Sequence, residues 1–187
     1  LFLVDPQAAG VERRTYPTVD GRKACDLYLD KVTVSADQVL GEPGQALAAL
    51  RYQQGRAIAA QCADALGSMQ EACRLTLDYL KTRQQFGVAI GQFQVLQHRM
   101  VDMRTELEQA TSMAILAACY CDEAHSLERT RTLAAAIAEQ AIQLHGGIGM
   151  TWEYSLAHHA KRLVMLSHQF GDDDHHLKAY AALLDAA

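Results

Sequence analysis

The chain has 187 residues, enough to bury a proper core and to hold one domain or one and a fraction. Half of them are hydrophobic and 21% are charged, the balance of an ordinary globular protein. A net charge of -5 without any Lys/Arg run excludes an electrostatic footprint for nucleic acid or an anionic membrane. No apolar run reaches the ~20 residues of a membrane span.

Residues 1 to about 44 carry the β character of the chain. Leu1 to Val4 is a short apolar run ended by the turn signal Asp5-Pro6. Val11 to Tyr16 follows, then a break at Pro17 and a hairpin turn at Asp20-Gly21. Leu27-Tyr28-Leu29 and Val32-Thr33-Val34 continue as strands on either side of Asp30-Lys31. These strands are too few to be stable without more sheet. The chain also opens on Leu-Phe-Leu-Val without an initiator Met, so it reads as a fragment or processed piece.

Gly41-Glu42-Pro43-Gly44 is the clearest boundary, and no proline occurs beyond it. A first helix is expected from Gln45 to Thr82, with Leu50, Ile58, Cys62, Leu66, Met69, Cys73, Leu77 and Leu80 marking its buried face. A loop carrying Phe86-Gly87 and Gly91 ends it. The second helix starts near Gln92 and runs to about His125, its stripe formed by Met100, Met103, Leu107, Ala110, Ala114, Ala117 and Cys121. A third covers Leu127 to His145. The fourth follows a cap at Thr151, with Trp152, Leu156, Leu163, Leu166 and Phe170 on one side. A fifth spans Asp172 to Leu184. Long helices joined by short loops predict a mainly α chain: an antiparallel bundle over 45–187, preceded by the last strands of a β domain over 1–44.

The five cysteines, at 25, 62, 73, 119 and 121, show no CxxC spacing. They read as buried small hydrophobes in a reducing compartment, not as a disulfide frame or zinc site. The pairs His158-His159 and His175-His176 put their rings ~100° apart on a helix, and the Glu-x-x-His of di-iron bundles is absent, so no metal site is expected. No GxSxG elbow supports a nucleophilic triad.

Gln143-Leu-His-Gly146-Gly147-Ile-Gly149 breaks one helix before the next begins. Its glycines are either a plain helix stop or a place where another backbone or a phosphate comes close. A dinucleotide fingerprint is excluded, because a helix and not a strand precedes it. Arg83, Phe86 and Gln94 lie in and beside the loop between the first two helices. A guanidinium, an aromatic face and an amide suit a planar, phosphate-bearing ligand; an exposed arginine beside an aromatic plug gives the same string. Arg56 is either a surface helix partner or an anion contact.

The string Tyr79-Leu-Lys-Thr-Arg83-Gln-Gln-Phe86-Gly87, with Ile90 and Gln94 after it, resembles the YxxxRxxFG…I…Q segment of the flavin-dependent acyl-CoA dehydrogenases. Asp102-Met103 continues that likeness, and Gln143 to Met150 resembles the family's QxxGGxGY segment. The opening strands and Val39-Leu40-Gly41-Glu42 resemble the end of the family's middle β domain. The resemblance implies FAD as cofactor, with Arg83, Phe86 and Gln94 as contacts. It implies that Gln143, Gly146 and Gly147 receive the ADP portion of FAD across a subunit interface, and that Arg56 lies near the acyl-CoA. The reaction implied removes the α-proton and passes the β-hydrogen as hydride to the flavin, giving a trans-2-enoyl-CoA. An electron-transfer flavoprotein, a homo- or hetero-oligomer (dimer or tetramer) and a bacterial cytoplasmic location complete the expectation.

Two departures from the family pattern stand out. No glutamate follows Glu153, and Gly55 occupies the other position, directly before Arg56, from which relatives supply the base. Phe170-Gly171-Asp172-Asp173-Asp174 makes Asp172 the nearest candidate base. Alternatively the base lies elsewhere, or a partner carries it and this subunit is noncatalytic. Gly55-Arg56 and Gly171-Asp-Asp-Asp-His-His are similar to the small subunits of bacterial two-subunit enzymes such as pimeloyl-CoA dehydrogenase. The second departure is a helix shorter than the family's between Arg131 and Gln143, with a join near Ala136-Ile137. From another class, a helical assembly module without flavin accounts for the same bundle.

Overall fold

The computed structural model describes residues 1–119, 154–172, 174, 175 and 178. Contacts divide the chain into two compact units, Leu1–Gln54 and Gly55–Ala187. The expected third helix, Cys121, the cap at Thr151, Trp152, the Ala136-Ile137 join and the loop holding Gln143, Gly146 and Gly147 lie outside the described residues.

In the first unit, β1 (Val11–Pro17) pairs antiparallel with β2 (Lys23–Leu29) in a register that sets Val11 opposite Leu29 and Pro17 opposite Lys23. The turn carries Gly21 at φ +79 and closes where the Thr18 N–H donates to the Arg22 carbonyl at 2.9 Å. At the other end Gly10 is obligatory: at φ +88, a Cβ there would stand 2.1 Å from the Asp30 carbonyl oxygen. Both faces of the hairpin are open, with Leu27, Tyr28 and Leu29 exposed. The apolar run at Leu1 contributes one bridge, Phe2 to Val39. The strand expected over Val32–Val34 does not form. Lys31, at φ +52, turns the chain out of line with β2, and β-branched composition without a pairing partner makes no strand.

The long helix α1 spans Leu47–Thr82. A two-residue hairpin, β3 (Gln84–Gln85) and β4 (Val88–Ala89), and a 3-10 turn over Ile90–Gln92 lead into α2 (Gln94–Cys119). The helix α3 (Ser155–Leu166) is the fourth of the sequence reading. In the second unit, Met69, Ala72 and Cys73 of α1 pack with Met103, Leu107 and Ala110 of α2 and with Leu156, Ala160, Leu163 and Leu166 of α3. Further along, Ile58 and Cys62 meet Ala117, so α1 and α2 run antiparallel. Leu156 and Leu163 are fully buried, each contributing roughly 1.5–3 kcal/mol.

Some expected core positions are not in the core. Leu50 and Leu77 are exposed, as are Cys25 and Cys119 among the cysteines. Phe170 is also exposed, because α3 stops at Leu166 and the chain turns before the apolar period reaches it. Polar ties then fix α3 on α1. The Arg162 guanidinium donates from Nε at 3.0 Å and from Nη2 at 2.5 Å to Oδ2 of Asp64. Seven residues on, the Gln61 side-chain amide donates to Gln169. Rising numbers on one partner meet falling numbers on the other, so α3 is antiparallel to α1. No helix among the described residues is long and apolar enough to cross a membrane.

Candidate functional site

The hairpin between α1 and α2 is built around its turn. The Arg83 N–H donates to Tyr79 at 2.8 Å, completing the last turn of α1, and the Arg83 carbonyl accepts from Ile90 at 2.9 Å to close the hairpin. Gln84 pairs with Ala89 and Gln85 with Val88, leaving Phe86 and Gly87 as the two central residues. Both have positive φ, +54 and +83, the conformation of a type I′ turn. Gly87 adopts it freely; Phe86 pays roughly 1–2 kcal/mol for a left-handed backbone. A strained aromatic at a tip, 91% exposed, gains nothing from core packing. Such strain persists where surrounding structure enforces it and clusters at ligand sites.

The base of the hairpin is closely packed and hydrogen-bonded. Gly91 packs so closely under the hairpin that a Cβ would approach the Leu80 carbonyl oxygen to 2.9 Å. The Gln97 side-chain amide donates to the Gly91 carbonyl at 2.8 Å. The Phe93 ring meets Phe86 edge-on. Gln94, exposed, opens α2, and neither its amide nor the exposed Arg83 guanidinium has a partner among the described residues. The structure thus brings Arg83, Phe86 and Gln94 to one end of the α1–α2 pair, as an unpaired cation, an open ring and a free amide. A separate apolar cleft of about 550 Å³ lies beside the hairpin base, floored by Leu77, Leu80, Met100 and Val101.

Arg56 is not part of that group. It stands 27 residues before Arg83 on α1, roughly 40 Å away along the axis. Its end of the helix instead faces the turn after α3. Phe170 and Gly171 take φ of +61 and +117, and Asp172 follows. The Asp172 Oδ1 accepts the His175 N–H at 2.9 Å and so caps the next helical turn. That hydrogen bond is the main reason its carboxyl is held below the ordinary carboxylate range. Oδ1 is thus engaged in the cap, and the group is held as a carboxylate of lowered basicity.

Among the described residues, one carboxyl is shifted the other way. Glu106 of α2 is half-buried, its Oε2 without a hydrogen-bond partner among the described residues, and burial first, then Asp102, pushes its carboxyl up. Its charge is felt at Cys73, which lies roughly 25 Å along α1 from Arg56. Glu106 is thus remote from the Arg56 end. Among the described residues, no three His, Cys, Asp or Glu side chains converge to hold a metal.

The sequence reading missed Gln61 and Gln169. No local signal joins two glutamines 108 positions apart. The hairpin itself was missed because two-residue strands have no period, although a residue-Gly pair between two helices was its trace.

Residues 44–184 match the profile of the acyl-CoA dehydrogenase C-terminal domain. (R)-Benzylsuccinyl-CoA dehydrogenase of Thauera aromatica is 29% identical over 170 residues, 86% of this chain and 42% of that protein. Among solved structures, a variant of the Tcur3481-Tcur3483 steroid ACAD is similar with a TM-score of 0.88 and 27% identity, over 100% of this chain and 52% of that one. PigA with FAD and proline follows with a TM-score of 0.87 and 25% identity, over 98% of this chain and 51% of that one. The chain spans about half the length of these proteins, or less. With a profile covering most of its residues, the chain belongs to the acyl-CoA dehydrogenase family, whose C-terminal helical domain it carries.

Proposed function

We propose that this chain is the C-terminal part of an FAD-dependent acyl-CoA dehydrogenase subunit, which converts an acyl-CoA thioester to a trans-2-enoyl-CoA. The observation that carries the reading is Phe86, held strained and open on its turn beside the unpaired Arg83 and Gln94. These three fit FAD in kind: a guanidinium for phosphate, a ring for a planar heterocycle, an amide for a polar edge. Gln143, Gly146 and Gly147 are the further contacts that the resemblance assigns. When bound, FAD supplies the two-electron acceptor for the hydride leaving the β-carbon. Arg56 stands by the acyl-CoA. An electron-transfer flavoprotein receives the electrons, and the bacterial cytoplasm is the proposed setting.

The ~40 Å along the helix between Arg83 and Arg56 supports a reading in which one copy offers two half-sites rather than one site. That supports a dimer or tetramer in which the hairpin of one subunit completes the flavin site of another. Residues 1–44 are, on this reading, the end of a middle β domain, and the two open faces of the β1–β2 hairpin call for further sheet.

A second reading is favoured by Asp172. Its carboxylate is engaged with His175, Gly55 precedes Arg56, and no glutamate follows Glu153. Proton removal then falls to another chain, and this subunit is the partner without a base in a heteromer. The two-part name of the steroid ACAD neighbour is consistent with that arrangement. A helical module that only oligomerises is the remaining alternative, and Arg83→Ala discriminates. In the intact gene product, with any co-purifying partner, the variant is expected to lose FAD affinity at least ~10-fold while its helical content stays the same. Unchanged flavin occupancy removes Arg83 from the site and this reading with it.

A further inference from the structure

The turn that ends α3 is strained and tied down from both sides. Ser167 and Gln169 close the last helical bonds to Leu163 and Leu166, at 3.1 and 3.2 Å. Phe170 then takes a left-handed backbone while 45% exposed, so core packing does not explain its conformation. Before it, the Gln169 side chain accepts from the Gln61 amide; after it, Asp172 caps the following turn.

The Arg162–Asp64 ion pair already anchors α3 to α1, so a neutral amide pair seven residues further on is redundant as an anchor. Its placement is not redundant. Gln61 is five residues beyond Arg56, roughly 7–8 Å along the helix, and Gln169 adjoins the strained pair.

We propose that the Gln61–Gln169 pair is a positioning device: it sets the Phe170-Gly171-Asp172 turn against the Arg56 end of α1 and thereby shapes the acyl-CoA contact there. This rests on the acyl-CoA reading above. Neither glutamine acts on the reacting atoms. Their work is to fix the backbone of a turn that, left with Gly171 alone, has several conformations open to it.

The test uses the intact gene product with its co-purifying partner, and trans-2-enoyl-CoA thioesters as probes, because they bind without turnover. Gln169→Leu and Gln61→Leu each break the pair. The double variant closes a mutant cycle, and Gln169→Glu restores an oxygen acceptor opposite Gln61. Each single variant is expected to raise the thioester Kd by about 5–10-fold, the double by no more than either single, and Gln169→Glu to return it to within about twofold, with FAD retention unchanged throughout. Unchanged thioester affinity, additive losses, or failure of Gln169→Glu to rescue overturns the pair's role. A wild-type protein that binds FAD but no acyl-CoA thioester overturns the acyl-CoA reading itself, an outcome separate from the others.

Discussion

The ring of Phe86 stands edge-on to that of Phe93, with centroids 6.1 Å apart and planes at 81°. This contact leaves the face of Phe86 open while steadying a residue whose backbone resists its own conformation. Asparagine tolerates the left-handed region far better than phenylalanine. Phe86→Asn should therefore keep global stability within about 1 kcal/mol of wild type, relief of strain offsetting the lost edge contact. Flavin affinity should nevertheless fall by up to about tenfold, the worth of one aromatic contact. Parallel thermal melts and flavin titrations check it; affinity that tracks stability contradicts a ligand role for the ring.

Gly91→Ala tests whether the hairpin's base matters to its tip. The new methyl meets the Leu80 carbonyl oxygen at 2.9 Å and its carbon at 3.3 Å, backbone atoms that do not give way cheaply. A loss of about 1–3 kcal/mol is expected from urea unfolding, with weaker flavin retention besides.

Cys73 gives a pH signature. Burial pushes its thiol up from 9.0 to about 11. The folded state thus holds the proton more tightly than the unfolded state. The stabilisation is fully present below the unfolded value, declines as pH rises through the interval between the two, and is gone above the folded value. The wild type should lose on the order of 2–3 kcal/mol more than Cys73→Ala between pH 8.5 and 11.5. Under native conditions a thiol reagent at neutral pH should label the exposed Cys25 and Cys119 well before Cys73.

Much of the bundle was legible because its helices carry long apolar periods. Ile58, Cys62, Met69, Cys73 and Leu80 face inward on α1, as do Met103, Leu107, Ala110 and Ala117 on α2. The period failed where the backbone changed direction, at Phe170, and where β-branched residues lacked a partner strand, at Val32–Val34. Of the site, the string from Arg83 to Gln94 was visible as composition, but the left-handed Phe86 was not. A type I′ turn is announced by Asn-Gly or Asp-Gly, and here a phenylalanine holds the first position. The ties Arg162–Asp64 and Gln61–Gln169 are set by helix packing and have no local trace.

Asp172→Asn separates the two accounts of the proton. Asparagine also accepts the His175 N–H, so the cap survives, while a carboxylate base does not. The heteromeric reading predicts that enoyl-CoA formation persists at close to the wild-type rate; its abolition, with the fold intact, makes Asp172 the base. The cap has its own pH dependence. Because the carboxyl is held below its ordinary value, its stabilisation is present above the unfolded pKa and is lost as pH falls through the lowered one.

The hairpin carrying Arg83 and Phe86 is proposed above as half of a flavin site. The most direct measurement is the flavin content of the intact gene product, purified with whatever partner accompanies it, by absorbance and by reconstitution with FAD. A half flavin site here makes the protein yellow, with FAD that, once removed, rebinds to the wild type and only weakly to Arg83→Ala. A colourless protein that takes up no FAD, alone or with its partner, contradicts it.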